Sequence, residues 1–329
     1  MTNLDGIIGV NEEKRVGMGE DSALRVEGDI AAILCSFDGC GGSGSKRYPS
    51  AEGWTGAKIA AYSCAHAVGD WFTQNRYDSN GFGMISAETL ANDMKVAIRT
   101  TFDDTYSCLD QPRSAIKGSL PSTLPTTMSS FMLEQDRSGK IRCVFLWAGD
   151  SRGYLFTVKG LRQMTKDDLQ VNSDDDDFAA DGVLSNYVNQ QKDFIIHSRE
   201  TFVDSPMIAL TVTDGCYAYY ETPMDFEGIL LETLMEAKSL LEWEQLLRER
   251  IGHVASDDYT LQMAIVGHRT FQALKDAYRP RMNDYRRLYS EPIARMQAQN
   301  DRDGLIRLWN EYKKFDREAR GMGWVSRER

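Results

Sequence analysis

The chain alternates short apolar runs with polar, glycine-bearing turns as far as Gly267, and changes to long amphipathic stripes after it. Residues 7–37 predict a short strand, an acidic loop and a second strand. From Trp54 to Phe72, the residues Ala57, Ala60, Ala61, Cys64, Ala65, Val68 and Trp71 recur at helical spacing and define one broad apolar face. A second helix is expected over 86–102, opened by Ser86 as an N-cap. Residues 103–126, rich in Ser, Thr and Pro, read as loop. Strands are expected at 127–134, 141–148, 154–158, 194–197, 207–213 and 259–266, and helices at 225–237 and 240–251. Tight turns such as Gly149-Asp150-Ser151-Arg152-Gly153 join neighbouring strands, so the pattern is α+β with mostly antiparallel pairs.

Beyond Gly267, Phe271, Leu274, Tyr278, Met282 and Tyr285 form one helical stripe, with a bend expected near Pro280. Leu305, Leu308, Trp309, Tyr312 and Phe315 form another. Charge divides the chain at the same place. The net charge is −11 over 329 residues, yet the stretch from His268 to Arg329 holds 15 Lys and Arg against 9 Asp and Glu. The body is therefore strongly acidic and the tail basic. We read a body over 1–267 and a basic helical extension over 268–329. An acidic body argues against nucleic-acid binding. The basic extension falls outside that exclusion and is expected to pack on the body or to contact a protein partner or a nucleic acid.

No apolar run approaches the roughly 20 residues that cross a bilayer. The first residues, Met1-Thr2-Asn3-Leu4-Asp5-Gly6, carry neither a basic segment nor a signal-peptide core. The six cysteines form no Cys-x-x-Cys, and three of them sit in apolar stretches, which predicts reduced thiols and a cytoplasmic setting. Four histidines are too few for imidazole-rich metal sites. Carboxylates are the plentiful ligands, and oxygen ligation favours Mg²⁺, Mn²⁺ or Ca²⁺. The Asp174–Asp177 run reads as a solvated connection.

The candidate chemistry lies in two apolar runs with the same ending. One closes on Phe37-Asp38-Gly39, the other on Thr213-Asp214-Gly215. Each predicts a buried strand that delivers a carboxylate at its tip, with Gly letting the backbone approach closely. Glu20-Asp21 upstream and Asp257-Asp258 downstream could converge on the same place and hold hard cations.

The order of these motifs, with Trp147-Ala148-Gly149-Asp150-Ser151-Arg152-Gly153 and Met164-Thr165-Lys166-Asp167-Asp168 between them, resembles the metal-dependent (PPM, type 2C) Ser/Thr protein phosphatases. The resemblance covers roughly residues 5–267. It implies an α-β-β-α sandwich of two antiparallel sheets flanked by helix pairs. It also implies two Mn²⁺ or Mg²⁺ ions sharing a bridging water, held by Asp21, Asp38, Asp214 and Asp257. The Gly39 carbonyl would be a further ligand, and Glu20 would act through a metal-bound water. Phosphomonoester hydrolysis needs an activated water and relief of phosphoryl charge, and paired divalent ions supply both. The resemblance further implies a phosphoprotein substrate carrying phosphoserine or phosphothreonine, and an opposing Ser/Thr kinase.

Several positions depart from the family pattern. Asp150 matches a third-metal position, but the Asp expected four residues after Asp214 is Ala218, so the third ion lacks part of its ligand set. Cys40 stands where many eukaryotic members have His, which points to a bacterial-type site. The phosphate-binding Arg of some members would fall at Val16, and Arg15, one position away, is the candidate for that role. Asp258 stands where Asn is usual and adds negative charge beside the metals. These departures motivate a rival reading, a catalytically weak phosphatase-like module used for binding or regulation.

Overall fold

The computed structural model describes residues 4–110, 123–135, 140–170, 183–203, 206–220 and 222–319. In chain order the strands are β1 (Leu4–Glu12), β2 (Ser22–Glu27), β3 (Ala31–Gly39), β4 (Arg47–Tyr48), β5 (Trp54–Thr55), β6 (Thr126–Gln135), β7 (Ile141–Ala148), β8 (Arg152–Thr157), β9 (Gly160–Gln163), β10 (His197–Val203), β11 (Met207–Val212) and β12 (Tyr259–Val266). The helices are α1 (Gly41–Gly44), α2 (Gly56–Gln74), α3 (Tyr77–Asn80), α4 (Ala87–Ser107), α5 (Pro223–Glu236), α6 (Leu240–Val254), α7 (Phe271–Tyr285), α8 (Glu291–Ala298) and α9 (Arg302–Ala319).

Two antiparallel five-stranded sheets form the centre, in the orders β1-β12-β11-β8-β9 and β10-β7-β6-β3-β2. Strand β3 shows why its sequence is apolar throughout. Ile33, Cys35 and Phe37 point to one core with α2 and α4, whereas Ala32 and Leu34 point to the other sheet. Both faces of the strand are covered, so a period of two disappears into a continuous apolar run. Strand β11 repeats this logic: Ile208, Leu210 and Val212 face α5, α6 and α7, while Met207 and Ala209 face the inter-sheet layer. Polar groups also bind the layers together. Ser36 Oγ donates to the Thr211 carbonyl at 3.1 Å, and Thr211 Oγ1 donates to the Ser129 carbonyl at 2.8 Å. The result is the four-layer α-β-β-α sandwich expected from the sequence.

All seven residues of the expected apolar face on α2 are buried. Ser86 caps α4, accepting from the Thr89 N–H at 3.1 Å, but the helix runs to Ser107, past the expected end at 102. Besides the short pair β4 and β5, which was not expected, three strands of the two main sheets differ from expectation. The expected acidic loop contains β2, and β9 went unforeseen. β10 spans His197–Val203 rather than 194–197. β2, β9 and β10 are edge strands that pair on one side only. Their half-exposed, charged sequences carry no buried run to betray them. The Asp174–Asp177 run lies outside the described residues.

The helices after Gly267 add to the layer outside the first sheet. Leu274, Tyr278, Met282 and Tyr285 are buried in one cluster with Trp243, Leu230 and Phe156. Tyr278 Oη donates to the Phe156 carbonyl at 2.6 Å. Arg281 meets the buried Glu227 through two bonds of 2.6 and 2.8 Å. Pro280 sits inside α7, which continues to Tyr285. The irregular stretch follows it, a π-turn over Arg286–Ser290. Among the described residues no helix is long and apolar enough to cross a membrane.

Candidate metal centre

The two Asp-Gly tips stand at the same end of the sandwich because β3 and β11 lie in facing sheets. Asp38 is the penultimate residue of β3, and Asp214 opens a single helical turn just past β11. A side chain at Gly39 would place its Cβ 2.7 Å from the Glu20 carbonyl oxygen and 2.8 Å from that of Ala57. A Cβ at Gly215 would collide with the backbone oxygen of Asp258. Glycine at each tip therefore lets it press against the backbone that bears the next acids, Glu20-Asp21 at one and Asp257-Asp258 at the other.

Asp21 is buried, and its Oδ2 accepts from Thr213 Oγ1 and Thr260 Oγ1, both at 2.9 Å. The Thr260 N–H donates to Thr213 Oγ1 at 2.9 Å, so β12 and the Asp214 tip hold this carboxylate jointly. Glu20 accepts from the hydroxyl of Thr55, which also caps α2. Asp257 is exposed and accepts the Asp258 N–H at 2.8 Å. Asp150 comes from the turn between β7 and β8. Its carbonyl accepts from Tyr217 Oη at 2.8 Å, while its buried Oδ1 has no hydrogen-bond partner among the described residues.

Electrostatics tie these groups into one cluster. Burial pushes the Asp38 carboxyl well above its usual range, and the charges of Asp214, Asp21, Asp150 and Asp257 push it further. Asp21 is raised by burial and by Asp258 and Asp214, against the two threonine hydroxyls. Asp150 is pushed up to about 7 by burial, then by Asp214 and Asp167, with Arg152 opposing. Glu20 is raised by burial and by Asp258 and Asp257, against Thr55 and Arg47. Like charges this close disfavour one another's ionisation, and a cation among them removes the penalty.

Among the described residues, no three His, Cys, Asp or Glu side chains stand as a ready cage for an ion. The carboxylates are gathered without being closed into a coordination sphere. Their chemistry still suits hard divalent cations: the donors are all oxygen, they are partly buried, and one oxygen of Asp150 is orphaned.

The remaining predicted positions fall less centrally. Arg15 is exposed on the loop after β1, and its carbonyl accepts from the Met18 N–H at 2.9 Å. Ala218, where another acid was expected, is exposed. Burial pushes the Cys40 thiol up, and the charges of Asp38, Asp150 and Asp214 add to the effect. Asp167 pairs with Arg152 Nε and Nη2 at 3.0 and 2.6 Å, and the guanidinium lies 3.7 Å from the centre of the Tyr217 ring. Asp168 caps the Gly149 N–H at 3.0 Å and meets His197 Nε2 at 3.0 Å. Both acids thus brace the turn that carries Asp150. Sequence reasoning missed the threonines that hold Asp21 and Glu20. The signal was present in Thr213, directly before Asp214, and in Thr260, at the end of the Asp257-Asp258-Tyr259-Thr260 motif.

The architecture is that of bacterial serine/threonine phosphatases. The serine/threonine phosphatase PstP/Ppp of Mycobacterium tuberculosis superposes with a TM-score of 0.55 at 16% identity, covering 80% of this chain and 99% of that one. The catalytic domain of PstP in complex with two manganese ions matches with a TM-score of 0.53 at 16% identity, over 79% of this chain and 97% of that one. Stp1 of Staphylococcus aureus matches with a TM-score of 0.55 at 14% identity, over 79% and 94%. At such identities the likeness shows a shared fold. No protein-family model matches the chain, and no curated protein is close enough in sequence to count as a relative.

Proposed function

We propose that this protein is a metal-dependent protein serine/threonine phosphatase. The observation that carries the reading is the gathering of Asp21, Asp150, Asp214 and Asp257, from separate elements, within electrostatic reach of the half-buried Asp38. Asp21, Asp38, Asp214 and Asp257 would hold two Mn²⁺ or Mg²⁺ ions, with the Gly39 carbonyl beside them. Glu20 would act at one remove, and Asp150 is a candidate for a weaker third ion. When bound, such ions lower the pKa of water and offset phosphoryl charge. The chain's own part is to fix the geometry. Thr213 and Thr260 orient Asp21, and Thr55 orients Glu20. The Arg152–Asp167 pair and Tyr217 hold the Asp150 turn. No side-chain nucleophile is required.

The substrate would be a phosphoprotein made by an opposing Ser/Thr kinase. Residues 1–267 would be the catalytic unit, with the basic helices after it as a brace and candidate partner surface. The test is phosphate release from a phosphoserine or phosphothreonine peptide and from p-nitrophenyl phosphate, with Mn²⁺ and then with excess chelator. Metal-dependent, chelator-sensitive turnover is expected. Phosphopeptide binding without turnover at saturating Mn²⁺ would instead favour the binding-module reading.

A further inference from the structure

The loop between β1 and β2 carries a feature that the proposed catalytic reading does not use. Asp258 spends both carboxylate oxygens on it: Oδ1 accepts the Lys14 N–H and Oδ2 accepts the Glu20 N–H, each at 2.7 Å. The two amides bracket the loop, so a single side chain pins both ends. Further bonds stiffen what lies between. Lys14 Nζ donates to the Ala255 carbonyl at 2.5 Å, the Gly17 N–H donates to Glu13 Oε2 at 2.5 Å, and the Met18 N–H donates to the Arg15 carbonyl at 2.9 Å. Glu13 also pairs with Lys58 of α2 at 3.6 Å. Gly17 turns the chain at φ +77°.

This ordered loop holds apolar side chains out into solvent. Val16 is 97% exposed and Met18 is 53% exposed, with exposed Arg15 beside them. They stand two to five residues before Glu20 and Asp21 of the acidic cluster, on the loop that Asp258 clamps. Apolar groups held outward on a braced turn cost the free protein their solvation and gain nothing until something covers them.

We propose that Asp258 is a positioning residue and that the loop it clamps is a fixed lip of the site, which receives an apolar side chain next to the phosphoresidue of a polypeptide substrate. The proposal rests on the phosphatase reading for the identity of the substrate, though the clamp itself does not. Carboxylate is the right group for the clamp. An amide at 258 offers one acceptor and one donor, so Asp258→Asn keeps one of the two bonds and sets an N–H against an N–H. The lip would let one site favour a polypeptide phosphoester over a small one, which has no side chain to lay against Val16 or Met18.

Two measurements on the full chain test this. Amide hydrogen exchange compares Lys14 and Glu20 in the wild type and in Asp258→Asn. Loss of their protection in the variant is expected, and unchanged protection overturns the clamp. With Mn²⁺ present, kcat/KM is then compared for a phosphopeptide with leucine beside the phosphoserine and for p-nitrophenyl phosphate. The ratio of the two is expected to fall about tenfold in the surface variant Val16→Ser/Met18→Ser, and in the same direction in Asp258→Asn. An unchanged ratio overturns the lip, as does an equal loss on both substrates. If the wild type turns over neither substrate, the phosphatase reading fails, and the exchange result still decides the clamp.

Discussion

Two acids in this molecule, one buried and one half-buried, are treated in opposite ways. In the helical layer, Glu227 is 0% exposed and meets Arg281 through a two-bond ion pair, with the Leu161 N–H adding a third contact at 3.3 Å. At the acidic end of the sandwich, Asp38 faces four other carboxylates, and burial and repulsion drive its pKa up. The first arrangement is complete within the chain and serves to dock α7 on α5. The second is left unbalanced by the chain, which is what the proposed metal centre calls for. Buried charge that the fold neutralises itself is architecture; charge that it leaves unbalanced marks a candidate site for a counter-charge from outside.

The sharpest way to break the contrast is at its acidic end. Asp38→Asn or Asp214→Asn is expected to cut Mn²⁺-dependent phosphate release to below about 1% of wild type. The same substitution removes a repelled charge, so the metal-free protein should melt at a higher temperature than wild type. Calorimetry with and without Mn²⁺ checks both signs.

The docking pair should respond the other way. Arg281→Met strands Glu227 without its partner and is expected to cost about 3–5 kcal/mol by urea unfolding. The double variant Glu227→Leu/Arg281→Met should recover most of that loss, because no unpaired charge remains.

Acid offers a third comparison. Asp150 has its folded-state pKa raised from 3.8 to about 7, and Asp38 and Asp21 are raised as well. Between those limits the folded state binds more protons than the unfolded chain. The stability these groups contribute is therefore full below about pH 4 and lost as pH rises through their folded pKa values. Metal-free protein should show this cluster's contribution falling from pH 4 towards pH 7, and saturating Mn²⁺ should suppress the fall. The slope of melting temperature against pH, in wild type and in Asp150→Asn, isolates the effect. Asp150→Asn should flatten it.

The smallest effect belongs to a neutral contact. Tyr278→Phe removes the hydroxyl that binds the Phe156 carbonyl while leaving the ring in place. It should cost about 1–2 kcal/mol in unfolding and leave phosphate release unaltered.

Much of the fold was legible because the central strands are buried on both faces. β3, β6, β7, β11 and β12 announce themselves as largely apolar runs, and α2 and α7 by their spacing. β2, β9 and β10 were obscure or displaced for the converse reason, since an edge strand half in water carries charges that read as loop. At the site, the Asp-Gly tips were visible, because a carboxylate at the end of an apolar strand followed by Gly is a local pattern. The clamp at Asp258 was not: its two partners, Lys14 and Glu20, lie 244 and 238 residues away. Read in sequence, Asp258 was only extra negative charge beside the metals.

What the sequence determined by itself is therefore the set of pieces: the strands covered on both sides, the helix faces, and the acids at the strand tips. These depend on contacts within a few residues, or on an apolar period that any core would satisfy. The tertiary structure alone decided which acids meet and how each is answered. Asp38 comes within electrostatic reach of Asp214 because two sheets face each other, Glu227 meets Arg281 because α7 lies against α5, and Asp258 holds a loop from the other end of the chain. Coulombic energy depends on distance in space, and only the packed fold sets that distance.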